Sequence, residues 1–321
     1  MGMNYRGFGR GKLLLFGEHA AVAGYPALGV ALDRGIAVSL EPDPAALAWT
    51  LEGRGEEDTV VARAVMKRMD ASISGLPSGG TIAVESDLPV GRGFGSSSAL
   101  CVALTEASLC AAGTPEVLRH RALVWGIAHH AEGVFHGTPS GIDTGLAVLG
   151  GIVAFSPKPP GLPEWRRVPG RPLHLVVGSL PRRGSAKELI ADIRRRSSDP
   201  ANAGSGAVSR LGDISKRAES LFSEPGSREA ATFASAFGSL AREAEEILST
   251  LGLVDRDLAL LVDAGEKAGS CGGKMSGAGG GGAFWLVYAD ARGAEEGVAA
   301  LRATAAEAGL LEELTLEAMD F

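Results

Sequence analysis

The sequence predicts an α+β protein of two domains, and three observations lead to this prediction. Its 321 residues exceed the length at which a single hydrophobic core usually splits, and 45% of them are hydrophobic. Strand-type and helix-type segments are mixed without a fixed repeat. Residues 156–172 hold six prolines, so they cannot sustain a helix or a central strand. We therefore place the domain junction there, with an N-terminal domain of residues 1–170 and a C-terminal domain of residues 171–321.

In the N-terminal half, short apolar segments predict strands and longer segments with helical periodicity predict helices. The strands are expected at residues 12–16, 28–40, 81–88 and 152–155, and the helices at 97–112 and 115–135. Gly137 and Pro139 are the stop signals of the second helix.

In the C-terminal half, a strand is expected at residues 173–177. A helix should start at residues 184–188, because Ser185 and Glu188 have the spacing of a capping box. Further helices run to about Ala268. Two strands flank a glycine cluster within residues 272–289, and a helix and a final strand complete the chain.

Charge and cysteine content exclude several classes of function. The net charge of -7 and the pI near 5.5 give no footprint for a nucleic acid or an anionic membrane surface. The three cysteines form no CxxC pair, so we expect neither a disulfide framework nor a zinc knuckle, and a reducing cytoplasm suits them. The longest uncharged apolar stretch, residues 144–157, is too short and too rich in glycine to span a bilayer.

A glycine-serine segment stands where a predicted strand leads into a predicted helix. Gly93 and Gly95 allow the backbone to approach a ligand closely, and the free amides of the first helical turn favour a phosphate. Three hydroxyls can add hydrogen bonds or a ligand for magnesium, those of Ser96, Ser97 and Ser98. The segment therefore predicts a phosphate-binding element, although an ordinary tight turn with a serine cap stays open.

Better-known motifs do not fit this segment. A dinucleotide fingerprint would need glycine at Ser98, and a P-loop would need lysine and then serine or threonine after its last glycine. A serine hydrolase elbow would need glycine at Ala99. Its histidine would have to be His174, which lies in an apolar strand, where a structural role is more common.

A second glycine cluster, residues 272–282, stands between two predicted strands. Ordering so many glycines is entropically costly, which indicates that something approaches this backbone closely. We expect a ligand loop here rather than a flexible hairpin, with Gly277, Gly279 and Gly280 among its contacts.

Two carboxylates can share the work of phosphoryl transfer. Glu132 lies on one helix face with His129 and His136, a set that lacks the spacing of a zinc site. Asp143 follows eleven residues later, after a tight glycine-proline loop. One carboxylate can hold magnesium while the other orients an attacking hydroxyl.

Lys12 stands at the start of an apolar strand, and Gly17, Glu18 and His19 follow that strand. These residues could line one pocket, although alone they are typical of a surface lysine and a turn. Together with the serine segment, residues 136–143 and residues 274–282, they resemble the GHMP kinase superfamily, and within it the mevalonate kinases. The matching segments span nearly the whole chain, and those at 11–20 and 136–143 are the most specific.

The resemblance implies an N-terminal domain like the second domain of ribosomal protein S5 and a ferredoxin-like C-terminal domain, with ATP between them. It implies that Ser97 and Glu132 bind Mg²⁺ and that the amides of residues 93–98 hold the phosphates. Asp143 would take or orient the proton of the mevalonate hydroxyl, and Lys12 would stabilise charge on the transferred group. Two residues would border the acceptor, Glu18 and His19, and the loop at 277–282 would support the phosphate site.

Several positions depart from the family pattern without removing a catalytic group. They include Phe94 where leucine is usual, Ser98 where alanine is usual and Thr144 where asparagine is common. Another acceptor therefore stays open, such as phosphomevalonate, homoserine or a sugar, as does a binding protein without catalysis. A galactokinase would carry Thr-Asp where Ala20-Ala21 follows His19. Ser185 and Lys187 are weak candidates for substrate contact, and a homodimer is compatible with the sequence.

Overall fold

The computed structural model describes residues 3–321 apart from 54, 159–160, 170, 184–188, 190, 194, 196–205 and 224–228. The predicted helix start at 184–188, with the candidates Ser185 and Lys187, lies outside the described residues. None of the helices in the described part of the chain is long and apolar enough to cross a bilayer.

Strands and helices are mixed along the first half of the chain. In chain order they are β1 (Tyr5–Phe16), β2 (Ala27–Pro42), β3 (Trp49–Leu51), α1 (Glu56–Asp70), β4 (Gly80–Ser86), α2 (Ser96–Ala111), α3 (Arg121–His136), α4 (Ile142–Leu149), β5 (Ile152–Ser156) and β6 (Glu164–Arg167). Strand β6 is an exposed edge strand, as the prolines around it require.

The second half has long helices and a four-stranded sheet. Its elements are β7 (His174–Leu180), α5 (Ala207–Ser223), α6 (Ala230–Thr250), α7 (Arg256–Lys267), β8 (Gly272–Met275), β9 (Gly282–Tyr288), α8 (Ala291–Glu307) and β10 (Thr315–Asp320). The sheet order is β10-β7-β9-β8, and every pairing is antiparallel. This half has the antiparallel α+β architecture that the sequence predicts.

The chain forms two compact units. The first comprises the described residues of Met1–Lys12, Ala31–Val90 and Phe94–Gly150, and the second comprises Leu13–Val30, Gly91–Gly93 and the described residues of Gly151–Phe321. The first unit thus ends at Gly150, and two segments that precede this residue, Leu13–Val30 and Gly91–Gly93, belong to the second unit. The domain boundary expected near residue 170 stays a prediction.

Helix α2 is the centre of the first unit. Ten of its 16 residues are buried, and it contacts both α3 and α4. Strand β1 lies directly on this helix because it presents glycines to it. A Cβ atom at Gly9 would stand 2.0 Å from the carbonyl oxygen of Ala99, and one at Gly7 would stand 2.1 Å from that of Ala103. The same unit pairs the end of β2 with β4, with Ile36 opposite Ser86.

Aromatic rings form the core of the second unit. Phe237 contacts Phe16 edge-on at 5.0 Å between centroids, and Trp285 lies 5.6 Å from Phe237. Phe233 stacks on Phe237. These contacts join β1, α6 and β9, so the end of β1 is held firmly where residues 17–19 begin.

Most of the expected elements occur, with several differences, and the short strands β3 and β6 are among the elements that were not expected. Strand β1 starts at Tyr5 rather than at residue 12. Helix α1 was not expected, although its three acidic residues at the N-terminus and two basic ones at the C-terminus suit the helix dipole. Asp143 lies in the first turn of α4 and not in a loop, because the glycine-proline loop already ends at Gly141, whose φ is +81°.

Candidate active site

Lys12 and Asp143 form an ion pair in the first unit. Their Nζ and Oδ2 atoms are 3.3 Å apart, and the side chains are 6% and 32% exposed. Lys12 also donates its backbone N–H to the carbonyl of Phe94 at 2.9 Å. The lysine side chain runs along Gly95, where a Cβ atom would lie 2.7 Å from its Cγ. The glycine thus allows a buried lysine to lie beside the serine segment.

Glu132 is the second carboxylate of this unit and is almost completely buried on α3. Ser98 donates its hydroxyl to Oε1 of Glu132, and Nε2 of His136 lies 4.0 Å from the same oxygen. Burial, and then the negative charge of Asp143, raise the pKa of Glu132 to about 8, against the opposing effects of Ser98 and Lys12. When both carboxylates carry a negative charge, the positive charge near them is therefore too small to balance it.

The serine segment forms the N-terminus of α2. Gly95 precedes this helix with a left-handed φ of +72°, and within the described residues no side chain caps the helix. The backbone amides of its first turn therefore point outward with the positive end of the helix dipole. Ser97 is half-buried, and its hydroxyl lies 3.3 Å from Nε2 of His136. Such a terminus suits an anion.

The second glycine cluster is a loop between β8 and β9 in the second unit. Its glycines have φ between +69° and +96°, a region that other residues rarely adopt, at Gly277, Gly279, Gly280, Gly281 and Gly282. The loop is also anchored, since Gly280 donates to Leu253 and accepts from Arg183. In the same unit, a Cβ atom at Gly93 would lie 2.9 Å from the backbone nitrogen of Ala283. The glycine content therefore reflects a constrained backbone rather than a flexible hairpin.

Glu18 and His19 belong to the second unit. The Glu18 carboxylate is buried and pairs with Lys274. Nε2 of His19 lies 3.2 Å from the carbonyl oxygen of Ala278, and burial lowers the pKa of His19 to about 4. His19 is therefore neutral at pH 7 and donates to the glycine loop. It holds this position at a φ of +58°, which is uncommon outside glycine.

The predicted residues thus form two groups. The first unit brings together Lys12, Ser97, Ser98, Glu132 and Asp143, and the second brings together Gly93, Glu18, His19 and the glycine loop. Sequence reasoning gave no role to Lys274 or Glu245. What marks Lys274 is its charge, because every residue of its short strand, β8, is buried.

The chain is similar to proteins of one family along most of its length. The family described as "GHMP kinases N terminal domain" matches residues 59–151, and "GHMP kinases C terminal" matches residues 229–307. The mevalonate kinase of Thermococcus sibiricus is 27% identical over 303 residues, which cover 86% of each chain. That of Pyrococcus abyssi is 28% identical over 312 residues, covering 90% of this chain and 89% of the relative.

Solved structures show the same fold at lower identity. The L. major mevalonate kinase in complex with R-mevalonate has a TM-score of 0.79 at 21% identity and covers 98% of this chain and 95% of its own. The Lactococcus lactis galactokinase complexed with galactose has a TM-score of 0.77 at 16% identity, covering 98% and 92%. The two family matches together span more than half of the sequence. The chain belongs to the GHMP kinase superfamily, with its two-domain α+β fold, and is a small-molecule kinase.

Proposed function

We propose that this protein is a mevalonate kinase, which transfers the γ-phosphoryl group of ATP to the primary hydroxyl of mevalonate and yields 5-phosphomevalonate and ADP. The observation that carries the proposal is the Lys12–Asp143 ion pair close to the buried carboxylate of Glu132. The mevalonate kinases among its relatives, similar over 85% or more of the chain, support this acceptor.

Asp143 is the group that handles the proton. It is the more exposed of the two carboxylates, so a hydroxyl can reach it, and Lys12 lies 3.3 Å from it. The hydroxyl oxygen forms the new bond to phosphorus as the bond to the ADP oxygen breaks, and its proton passes to Asp143 or is oriented by it. Lys12 places a positive charge where the transferred group carries negative charge.

Glu132 and Ser97 are proposed to hold Mg²⁺ with the phosphates of ATP. One observation fits a cation there: Glu132 is buried beside the negative charge of Asp143, and both effects raise its pKa, to about 8. Mg²⁺ usually binds through one or two protein oxygens, phosphates and water. When bound, it neutralises charge on the phosphate oxygens.

The phosphate groups would lie against two glycine segments. GHMP kinases use ATP. The uncapped N-terminus of α2, with Gly93, Gly95, Ser96 and Ser98 around it, offers amides and a dipole to the phosphates. The loop at 277–282 would add amides through Gly277, Gly279 and Gly280. The three cysteines are free thiols, which fits the cytoplasmic location we propose.

The acceptor is the part of the proposal that a direct assay decides. ADP formation and the phosphorylated product are measured with ATP and Mg²⁺ and, in turn, mevalonate, phosphomevalonate, homoserine and galactose. We expect turnover on mevalonate, with kcat/KM at least 100-fold above that on the others. Turnover on another acceptor with none on mevalonate would contradict the proposal and keep the superfamily assignment.

A further inference from the structure

A fully buried lysine lies at the start of the second glycine loop. Lys274 is 0% exposed, and its Nζ atom donates to Oε1 of Glu18 and, at 2.6 Å, to the carbonyl of Met275. The ammonium group also lies 5.8 Å from the ring centroids of Phe16 and Trp285, over both rings. It is thus held in one position by an anion, a carbonyl and two aromatic faces.

Glu18 connects this lysine to the glycine loop. Its chain neighbour, His19, has its Nε2 atom 3.2 Å from the carbonyl oxygen of Ala278, which lies inside the loop. Lys274 itself donates to the carbonyl of Met275, the last residue of β8. The ion pair therefore joins the segment that contacts the loop to the point where the loop leaves β8.

The residues between Lys274 and Gly277 are held in the same way. The N–H of Met275 donates to Oε2 of Glu245 at 3.0 Å. Ser276 donates its hydroxyl to the carbonyl of Leu14 at 2.9 Å and accepts the N–H of Leu14 at 3.0 Å. Each residue from 274 to 276 thus takes part in a hydrogen bond that involves a side chain, while the loop beyond is rich in glycine.

An ion pair buried so completely is a costly way to obtain stability. Removing both charges from water costs several kcal/mol for each ion, and well-packed apolar residues often serve equally well or better. Its advantage is direction, since an ammonium group that donates to both a carboxylate and a carbonyl fixes the positions of the two chain segments that carry them. A loop that must present amides to phosphates needs that definition.

We propose that Lys274 is a positioning residue for the second glycine loop, acting through Glu18, whose carboxylate it holds next to the contact of His19 with the loop. On this account, which rests on the proposed phosphate-binding role of the loop, Glu18 serves nucleotide binding and not the acceptor. Its loss should weaken ATP binding and leave the KM for the acceptor nearly unchanged. The expectation that Glu18 borders the acceptor makes the opposite prediction.

The test uses Lys274→Met, Glu18→Gln and the double variant, with Lys267→Met as a control. Lys267 lies on the surface of the same unit and pairs with Asp263. Four quantities are measured in the full-length protein: the melting temperature, the Kd of ATP with Mg²⁺, the KM for the acceptor, and the rate of amide hydrogen exchange at residues 276–282.

Lys274→Met leaves a buried carboxylate unpaired, so it should lower the melting temperature strongly and could prevent folding. The double variant has no buried charge and should recover most of the melting temperature. We expect it nevertheless to bind ATP at least 10-fold more weakly and to exchange the loop amides at least 10-fold faster than wild type. Glu18→Gln should share these defects to a smaller degree, with the acceptor KM within threefold of wild type.

Two results would overturn the proposal. If the double variant binds ATP and protects its loop amides as wild type does, the pair is only structural. If Glu18→Gln raises the acceptor KM and leaves the Kd of ATP unchanged, Glu18 serves the acceptor. Loop exchange and ATP binding do not depend on the acceptor, so failure of the mevalonate assignment would be seen separately, in the acceptor assay.

Discussion

Each unit has a cluster in which a buried lysine lies near two carboxylates, and the two clusters are arranged in opposite ways. In the first unit, Lys12 pairs with the accessible Asp143. The charge of Lys12 offsets only part of the rise that burial and Asp143 cause in the pKa of the buried Glu132. In the second, Lys274 is fully buried and pairs with the equally buried Glu18. The second carboxylate near Lys274 is that of Glu245, and burial raises its pKa to about 7.

The cluster of the first unit is therefore suited to catalysis, and that of the second unit is suited to holding the backbone in a fixed conformation. A lysine paired with an accessible carboxylate places both charges within reach of a substrate. A lysine paired with a buried carboxylate has its donors used inside the protein and can act only by fixing the backbone. Removing Lys12 should therefore affect turnover more than stability, and removing Lys274 the reverse.

The largest effect on turnover is expected for Lys12→Met. The loss of a positive charge aimed at the transferred group should lower kcat by about 100- to 1,000-fold. The Kd of ATP should change by less than about threefold, since the amides of α2 remain. Steady-state assays and calorimetry would show this, with Lys67→Met, an exposed change on α1, as the matched control. A kcat above half of the wild-type value would remove Lys12 from the mechanism.

Glu132→Gln should come next, and its effect should depend on the metal. The variant keeps an acceptor for the Ser98 hydroxyl but loses the negative charge. The Mg²⁺ concentration for half-maximal activity should therefore rise at least about 10-fold. Titration of activity against Mg²⁺ measures this shift. Glu57→Gln, at the exposed start of α1, is the control. An unchanged Mg²⁺ requirement would contradict the proposed role.

The neighbouring serines should separate metal binding from structure. Ser97→Ala should raise the Mg²⁺ requirement severalfold and leave the melting temperature unchanged. Ser98 is fully buried and donates to Glu132, so Ser98→Ala should lower the free energy of unfolding by about 1 to 3 kcal/mol. Denaturant unfolding and Mg²⁺ titration of both variants test this. Reversed effects would make Ser98 the metal ligand.

The smallest effect concerns Glu245 and pH. Its pKa of about 7 in the folded state exceeds the ordinary value of 4.5. At pH values between 4.5 and 7, the protein therefore takes up a proton when it folds. The stability from this proton is complete below pH 4.5 and is lost as the pH rises through 7. The groups that face Glu245 are the Met275 N–H, Lys274, Glu18 and Glu266.

Melting curves of wild type and Glu245→Gln between pH 5 and 8 show whether this proton contributes. The melting temperature of the wild type should fall more steeply across this range than that of the variant, whose side chain does not titrate. Parallel pH profiles would mean that Glu245 is ionised throughout.

The sequence was sufficient for the fold class and for the helix termini with clear stop signals, and the site residues that it named stay predictions. Helix α3 ends at Gly137 as its stop signals require, because cap chemistry is local. Helix α4 was missed because Gly141 and Gly145 resemble loop residues, and only packing shows that Gly145 is buried inside a helix. Tertiary contacts override local preference there.

The cluster around Lys274 could not be predicted because it depends on distances across the chain. Lys274 and Glu18 are 256 positions apart, and nothing in either segment indicates that one neutralises the other. The raised pKa of Glu132 likewise follows from burial and from Asp143, which composition does not reveal. For the first cluster, the family resemblance named the residues and implied that Lys12 interacts with Asp143, and the structure added the distance of 3.3 Å between them.

Asp143→Asn gives the most direct test of the central claim, that an accessible carboxylate paired with Lys12 handles the proton of the mevalonate hydroxyl. Calorimetry should show ATP with Mg²⁺ and mevalonate binding within about threefold of wild type, since the amide keeps the shape of the site. Formation of 5-phosphomevalonate, followed by phosphorus NMR, should fall by about 100-fold or more, in the range attributed to general acid–base groups. Near-wild-type product formation by this variant would contradict the account.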